Sequence, residues 1–122
     1  MSCCCGFGAD YISCCLPLHT GKIKAESAEH LMRSRYSAFV HMQLDYLKKT
    51  SANKQDFSKS KIRLWLKNVT WQKLEIVSVE DLVTEAYVTF KAYYLEFKKP
   101  QVMEEKSYFQ KINNTWLYIG SK

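Results

Sequence analysis

Between Ser27 and Met42 the apolar residues Ala28, Leu31, Met32, Phe39 and Met42 fall on one stripe when residues are set 100° apart. That spacing predicts a helix capped by Ser27, with Arg35 in the middle of its apolar stripe and Arg33 pointing outward. Two shorter helical patterns follow, near Leu44 to Lys49 and Lys59 to Leu66, separated by the polar stretch Thr50 to Phe57. From Trp71 onward the period changes to two. Ala86, Val88, Phe90, Ala92 and Tyr94 alternate with Glu85, Tyr87, Thr89, Lys91 and Tyr93, the signature of a half-buried antiparallel strand. Trp71 to Val79 reads as an earlier strand whose phase slips at Ile76-Val77, which predicts a bulge. Lys98-Lys99-Pro100 is read as a break. Met103 to Ile112 and Thr115 to Ile119 then form a hairpin closed by Asn113-Asn114, residues that tolerate positive φ. Helices first and a meander afterwards predict an α+β fold, with helices on one face of an antiparallel sheet of about four strands.

The hairpin sets out a candidate site. With Asn113-Asn114 as a two-residue loop, Phe109 faces Tyr118 and Lys111 faces Trp116, so Glu105, Ser107, Phe109, Trp116 and Tyr118 share one side of the sheet. If the first helix covers that side, Arg35 meets them. Two readings follow: a pocket with a few convergent polar groups, or a buried Arg35 to Glu105 ion pair that only seats helix on sheet. No serine, histidine and acid arrangement can be assembled, because His30 and His41 read as solvent-facing and His19 as part of the cysteine segment. No enzymatic activity is therefore expected.

All five cysteines lie in the first fifteen residues. In an extended segment Cys3 and Cys5 point to the same side and Cys4 away. Gly6 and Gly8 permit the tight return that brings Cys14 and Cys15 onto that pair. Four thiolates suit Zn²⁺, though iron also accepts them, and a thiol redox role or disulfides are competing readings. A site with all four positions filled by Cys3, Cys5, Cys14 and Cys15 leaves none for substrate or activated water, so the expected Zn²⁺ is structural. The chain divides on this reading into a metal knuckle at 1–21 and a larger α+β domain at 22–122.

Cys3-x-Cys5-Gly6-x-Gly8-x-x-Tyr11-x-x-Cys14-Cys15, continued by Pro17, His19 and Gly21, resembles the SEC-C zinc motif. Cys4 stands where that motif usually has Pro, Phe7 where it has Ser, and Ala9-Asp10 where basic residues are common. The run Leu31-Met32-Arg33-Ser34-Arg35-Tyr36-Ser37-Ala38-Phe39-Val40, with Asp45-Tyr46-Leu47 after it, is similar to the signature of the YchJ family of bacterial proteins. Glu105-x-Ser107-x-Phe109 and Trp116-x-Tyr118 look like that family's as well. The resemblance implies a zinc knuckle followed by a cone similar to nuclear transport factor 2, in a family whose members mostly have no established activity.

Composition adds compartment and partners. A content of 47% hydrophobic and 14% aromatic residues is that of a globular chain. No apolar stretch is long enough to span a bilayer, and no charged and apolar leader precedes Cys3, so a cytoplasmic protein without membrane contact is expected. The formal charge of +6 is localised. From Lys48 to Lys73 the chain carries Lys48, Lys49, Lys54, Lys59, Lys61, Arg63, Lys67 and Lys73 against Asp56 alone, with Trp65 and Trp71 in the same window. Such a stretch can grip phosphate and stack on unpaired bases, whereas the prevalence of lysine over arginine argues against reading of DNA sequence. The bland alternative is a solvated helix and loop with both tryptophans in the core. The leading expectation is a non-enzymatic, zinc-binding accessory module for a protein, RNA or the ribosome. A small-molecule or enzymatic pocket inside the cone is the alternative.

Overall fold

The computed structural model of the protein describes residues 3–6 and 10–121. Gly8, with Phe7 and Ala9, lies outside the described residues. A short helix, α1 (Leu16–His19), is followed by α2 (Ala28–Val40), α3 (Leu44–Lys49), a 3₁₀ turn at Lys54–Asp56 and α4 (Lys59–Leu66). Four strands follow as a meander, β1 (Val69–Asp81), β2 (Glu85–Glu96), β3 (Lys99–Ile112) and β4 (Thr115–Ser121), ordered β1-β2-β3-β4 and all antiparallel. α1 and the 3₁₀ turn have no counterpart in the periodicity, since both are too short to show one. No described helix is long and apolar enough to cross a membrane.

α2 begins as expected, with Ser27 Oγ accepting the His30 N–H at 3.1 Å. It ends at Val40, two residues short of Met42. Gln43 N–H donates to Ala38 O at 2.8 Å and Met42 takes φ 58, the closure usually given to glycine after a helix. Met42 is therefore off the stripe and 43% exposed. Leu31, Met32 and Arg35 are buried on α2, but so are Ser34, Ser37 and Ala38, because the helix is covered on more than one side. Ser34 Oγ shares a 2.7 Å hydrogen bond with Tyr46 of α3, and Ser37 Oγ lies 3.8 Å from Cys3 Sγ.

The sheet presents Ala86, Val88, Phe90 and Ala92 of β2, with Ser107 and Phe109 of β3, as a buried inner face. The phase slip in β1 is a register shift between Ile76 and Ser78, and a second shift between Trp71 and Lys73 was not visible in the pattern. The expected break at Lys98-Lys99-Pro100 is corrected. The turn is Phe97-Lys98 alone, at φ 51 and 66, and Pro100 already pairs with Leu95 inside β3. Proline is tolerated there because β4 pairs with β3 only from Ser107 onward, leaving the other side of Pro100 without a ladder partner. At the far hairpin Asn113 and Asn114 take φ 52 and 62, and Phe109 pairs with Tyr118 and Lys111 with Trp116. The polar stretch after α3 is not a free connector. Tyr118 N–H donates to Thr50 O at 2.8 Å and Ala52 N–H to Tyr118 O at 2.9 Å, a short parallel bridge along the outer edge of β4.

Candidate functional site

Cys3, Cys5, Cys14 and Cys15 place their sulfurs within 4.8 Å of one another. A tetrahedral ion bound at about 2.3 Å needs sulfurs about 3.8 Å apart. The Cys5–Cys14 and Cys14–Cys15 separations of 3.3 and 3.9 Å bracket that value. The donor set thus fits a metal ion. Burial pushes the Cys14 thiol up to about 12, helped by the hydrogen bond with and charge of Cys5. Cys15 is raised further, first by its hydrogen bond with Cys5 and then by burial. Without a cation Cys14 and Cys15 keep their protons at neutral pH; a bound cation takes the place of those protons. Cys4 is outside the set and half-buried, packed between the cysteine cluster and the main core. Its thiol is pushed up to about 11 by burial.

Polar contacts from Arg33 and Ser34 dock the knuckle on α2. Arg33, expected to point outward, is corrected: it pairs with Glu29 at 2.9 Å, and its Nη1 donates to Cys5 O at 2.6 Å. His19 lies with Nε2 2.9 Å from Ser34 O, which can only accept, so Nε2 carries the proton. Nδ1 is then the acceptor for the Tyr11 hydroxyl at 2.8 Å. Both ring nitrogens are committed, and burial holds His19 below its usual pKa, so it has no lone pair for the metal. His41 is exposed but stacks on Tyr11 at 3.9 Å. His30, expected in solvent, is half-buried and accepts the Glu26 N–H at 3.1 Å.

On the sheet side of α2 lies a cavity of about 360 Å³. α2 gives it Met32, Arg35 and Phe39, and the segment after α3 gives Ser51, Asn53, Asp56 and Phe57. Ile62 and Trp65 of α4 form another wall, with Phe90, Met103 and Ile119 of the sheet. Glu105, Ser107 and Tyr118 complete its polar side. Phe109 is fully buried and does not line it, and Trp116 lines a separate, smaller cavity of about 110 Å³ near Lys24 and Lys49. The direct Arg35 to Glu105 ion pair is not formed. Arg35 Nη1 donates to Leu47 O at 2.9 Å, Thr50 Oγ1 at 2.7 Å and Ser51 Oγ at 3.2 Å, closing the C-terminus of α3. Its guanidinium lies 4.5 Å from the Tyr118 ring centroid. Glu105 Oε2 instead accepts from Ser107 Oγ at 2.5 Å and Tyr118 Oη at 3.0 Å. Tyr118 thus stands between the two charges. Burial lowers the Arg35 pKa to about 10, leaving it cationic at neutral pH, and pushes the Tyr118 phenol up to about 12 with help from Glu105. The sequence pattern does not single out Ser51, Asn53, Asp56 and Phe57; the long-range Ser51 to Tyr118 bridge that helps bring them to the cavity leaves no local pattern.

Of the basic window, Lys48, Lys49, Lys54, Lys61, Arg63, Lys67 and Lys73 are exposed. Lys59 pairs with Asp45, and Lys54 Nζ donates to Ser51 O at 3.0 Å. Lys73 Nζ sits 4.5 Å over the Tyr93 ring. Trp65 and Trp71 pack edge to face at 5.8 Å, with Phe39 and Tyr94 around them, as in the core reading. They offer no open face pair for base stacking.

Residues 27–121 match the family model described as YchJ, middle NTF2-like domain. A UPF0225 protein of Actinobacillus succinogenes is 34% identical over 98% of this chain and 80% of its own length. One from Vibrio cholerae is 34% identical over 100% of this chain and 83% of its own. The solution structure of a SEC-C motif containing protein from Rhodopseudomonas palustris superposes with a TM-score of 0.93 at 29% identity, covering 100% of this chain and 98% of that one. A crystal structure of a SEC-C motif containing protein from Psychrobacter arcticus gives 0.88 at 32% identity, over 98% and 80%. With a cysteine knuckle of SEC-C type and a nuclear transport factor 2-like domain behind it, the chain belongs to the YchJ family.

Proposed function

We propose that the protein is a small-ligand-binding domain stapled by a structural zinc ion. The observation that carries the reading is the cavity, which gathers Arg35, Glu105, Ser107 and Tyr118 against mainly apolar and aromatic walls. A preformed apolar hollow with a few oriented polar groups is the usual make-up of a ligand site, and its volume lies at the lower end of the range of roughly 300 to 1,000 Å³. This moves the pocket ahead of the macromolecule-binding module that the sequence favours. The four cysteines support zinc because a tetrahedral four-thiolate set matches its preference and no fifth His, Cys, Asp or Glu among the described residues belongs to the cluster. The metal on this reading holds the knuckle on α2 and does no chemistry.

Titration of the full chain with small aromatic fragments, followed by backbone amide NMR shifts, tests the pocket. Shifts concentrated on Met32, Phe57, Trp65 and Met103 are expected. Fragments that leave those residues unmoved would overturn it. Exposure of seven basic side chains between Lys48 and Lys73 favours RNA or ribosome binding as a second reading. For single-stranded RNA the log-log salt slope should fall by about 0.7 per contacting lysine removed. Neutralising Lys48, Lys49 and Lys61 should then weaken binding more than neutralising Lys22, Lys24 and Lys98; equal losses would reduce it to net charge.

A further inference from the structure

Resting on the ligand-binding reading, we infer that the cavity takes a small carboxylic acid with an apolar body and one amino or hydroxyl donor, its carboxylate on Arg35 and its donor on Glu105. Arg35 is only 6% exposed, yet none of its hydrogen bonds ends on a carboxylate. All three leave from Nη1. Among the described residues Nε and Nη2 have no hydrogen-bond acceptor, and neither atom is fully buried. A buried guanidinium without an anion is costly, and its unused planar edge matches a carboxylate through two parallel hydrogen bonds. Arg35 lines the cavity, so the ligand's acid belongs there.

The second end is set by Glu105. Its Oε2 is filled by the Ser107 and Tyr118 hydroxyls, while Oε1 accepts no hydrogen bond from the described residues. A ligand that placed only an acid here would bring two carboxylates together, whereas an amino or hydroxyl group satisfies Oε1. Tyr118 enforces the division. Its ring lies on the guanidinium and its hydroxyl on the carboxylate, so the charges cannot neutralise each other and remain available to one ligand. Asp56 on the same wall gives the lining two carboxylates to one guanidinium, which disfavours phosphates and other dianions. Phe39, Phe57, Trp65 and Phe90 accept the apolar body. The volume suits a single ring or branched chain, not a dinucleotide.

The test compares matched probes on the full metal-loaded chain by calorimetry and NMR shift mapping. Phenylalanine, leucine and methionine are set against their deaminated acids and decarboxylated amines, with phenyllactate as the hydroxyl case. At least one complete probe should bind tenfold or more tighter than both truncated forms of the same body, with shifts on Arg35, Glu105 and the cavity walls. Arg35→Gln risks the fold because Arg35 also closes α3, so Glu105→Gln is the informative variant. It should cost the amino acid about tenfold while leaving the deaminated acid equal or tighter. Truncated forms binding as well as complete ones, or Glu105→Gln weakening every probe alike, would overturn the inference. If indole or toluene shifts the cavity residues and none of the acids does, this inference fails and the pocket stands. If neither class shifts them, both fail.

Discussion

The guanidinium of Arg33 donates through Nη1 to the carbonyl oxygen of Cys5 at 2.6 Å. A side chain of α2 thereby fixes the backbone of a residue of the cysteine cluster, and the space between them is tight. A Cβ added to Gly6, which sits at φ 90, would lie 2.6 Å from that Nη1.

Arg33→Ala should therefore loosen the knuckle by about 1.5 kcal/mol, the worth of a charged hydrogen bond that is partly shielded. Gly6→Ala should act in the same direction through backbone strain and displacement of Arg33. Faster zinc loss to a chelator, with the sheet amides still protected from exchange, is the expected outcome. Unchanged release from both variants would mean that Arg33 merely rests on the knuckle.

Cys14→Ser should lower zinc affinity severely, whereas Cys4→Ser should leave one zinc per chain. Since each thiol must give up its proton to bind, affinity should fall as pH is lowered, and fall steeply because several protons are displaced together. Metal analysis after dialysis across a pH series checks both statements. Retention of one zinc in Cys14→Ser would remove that residue from the ligand set.

Arg35 and Glu105 should differ in their effects on stability because they do not pair. Arg35→Gln forfeits the ties to Leu47, Thr50 and Ser51 and should cost about 3 kcal/mol. Glu105→Ala leaves two hydroxyls that can turn to water in the cavity and should cost only about 1 kcal/mol. Urea denaturation midpoints measure the difference. Equal large losses would indicate a direct ion pair after all.

Alkaline pH should destabilise the chain from about pH 10 upward, where the buried phenols begin to titrate in the unfolded state. The phenol of Tyr118 is pushed from 10 to about 12, and those of Tyr36 and Tyr46 are also raised, in each case chiefly by burial. A raised folded-state pKa means that this contribution is intact below pH 10 and is lost as pH climbs toward 12, because the unfolded chain gives up the proton first. Tyr118→Phe should flatten part of the decline in that window. A parallel decline in the variant would assign the effect to other groups.

Six of the described non-glycine residues sit at positive φ, among them Met42 at 58° and the exposed, β-branched Val83 at 76°. Met42→Gly and Val83→Asn should each raise stability by about 1 kcal/mol by relieving the left-handed conformation. Thermal unfolding would show a higher midpoint for each, and a lower one would mean that side-chain contacts outweigh the backbone.

Where neighbours in sequence are neighbours in space, the residues predict the structure closely. Leu44–Lys49 and Lys59–Leu66 are helices as read, the slip at Ile76-Val77 is a register shift, and the pair Asn113-Asn114 sets the partners of Phe109. Met42 misled because the helix closes on a methionine where glycine is the usual signal. Periodicity put Arg35 and Glu105 on facing surfaces but could not say what stands between them. That depends on Tyr118, brought across by a hairpin, and on Thr50 to Ser51, brought across by a bridge spanning most of the domain. The outward reading of Arg33 failed for the same reason, since an amphipathic stripe registers one buried face and α2 has more than one.

The bridge from Thr50 and Ala52 to Tyr118 has a consequence for the order of folding. Helices α2 to α4 can form as soon as they are synthesised, but the segment that walls the cavity finds its strand partner in β4, the fourth of the four strands along the sequence. Contacts of such sequence separation form late, because the loop entropy comes before the reward. During synthesis the aromatic walls contributed by Phe57 and Trp65 must therefore wait uncovered. The cysteine cluster, complete within the first fifteen residues and docked on α2, is in place long before, so one end of the domain is anchored while the other is still open.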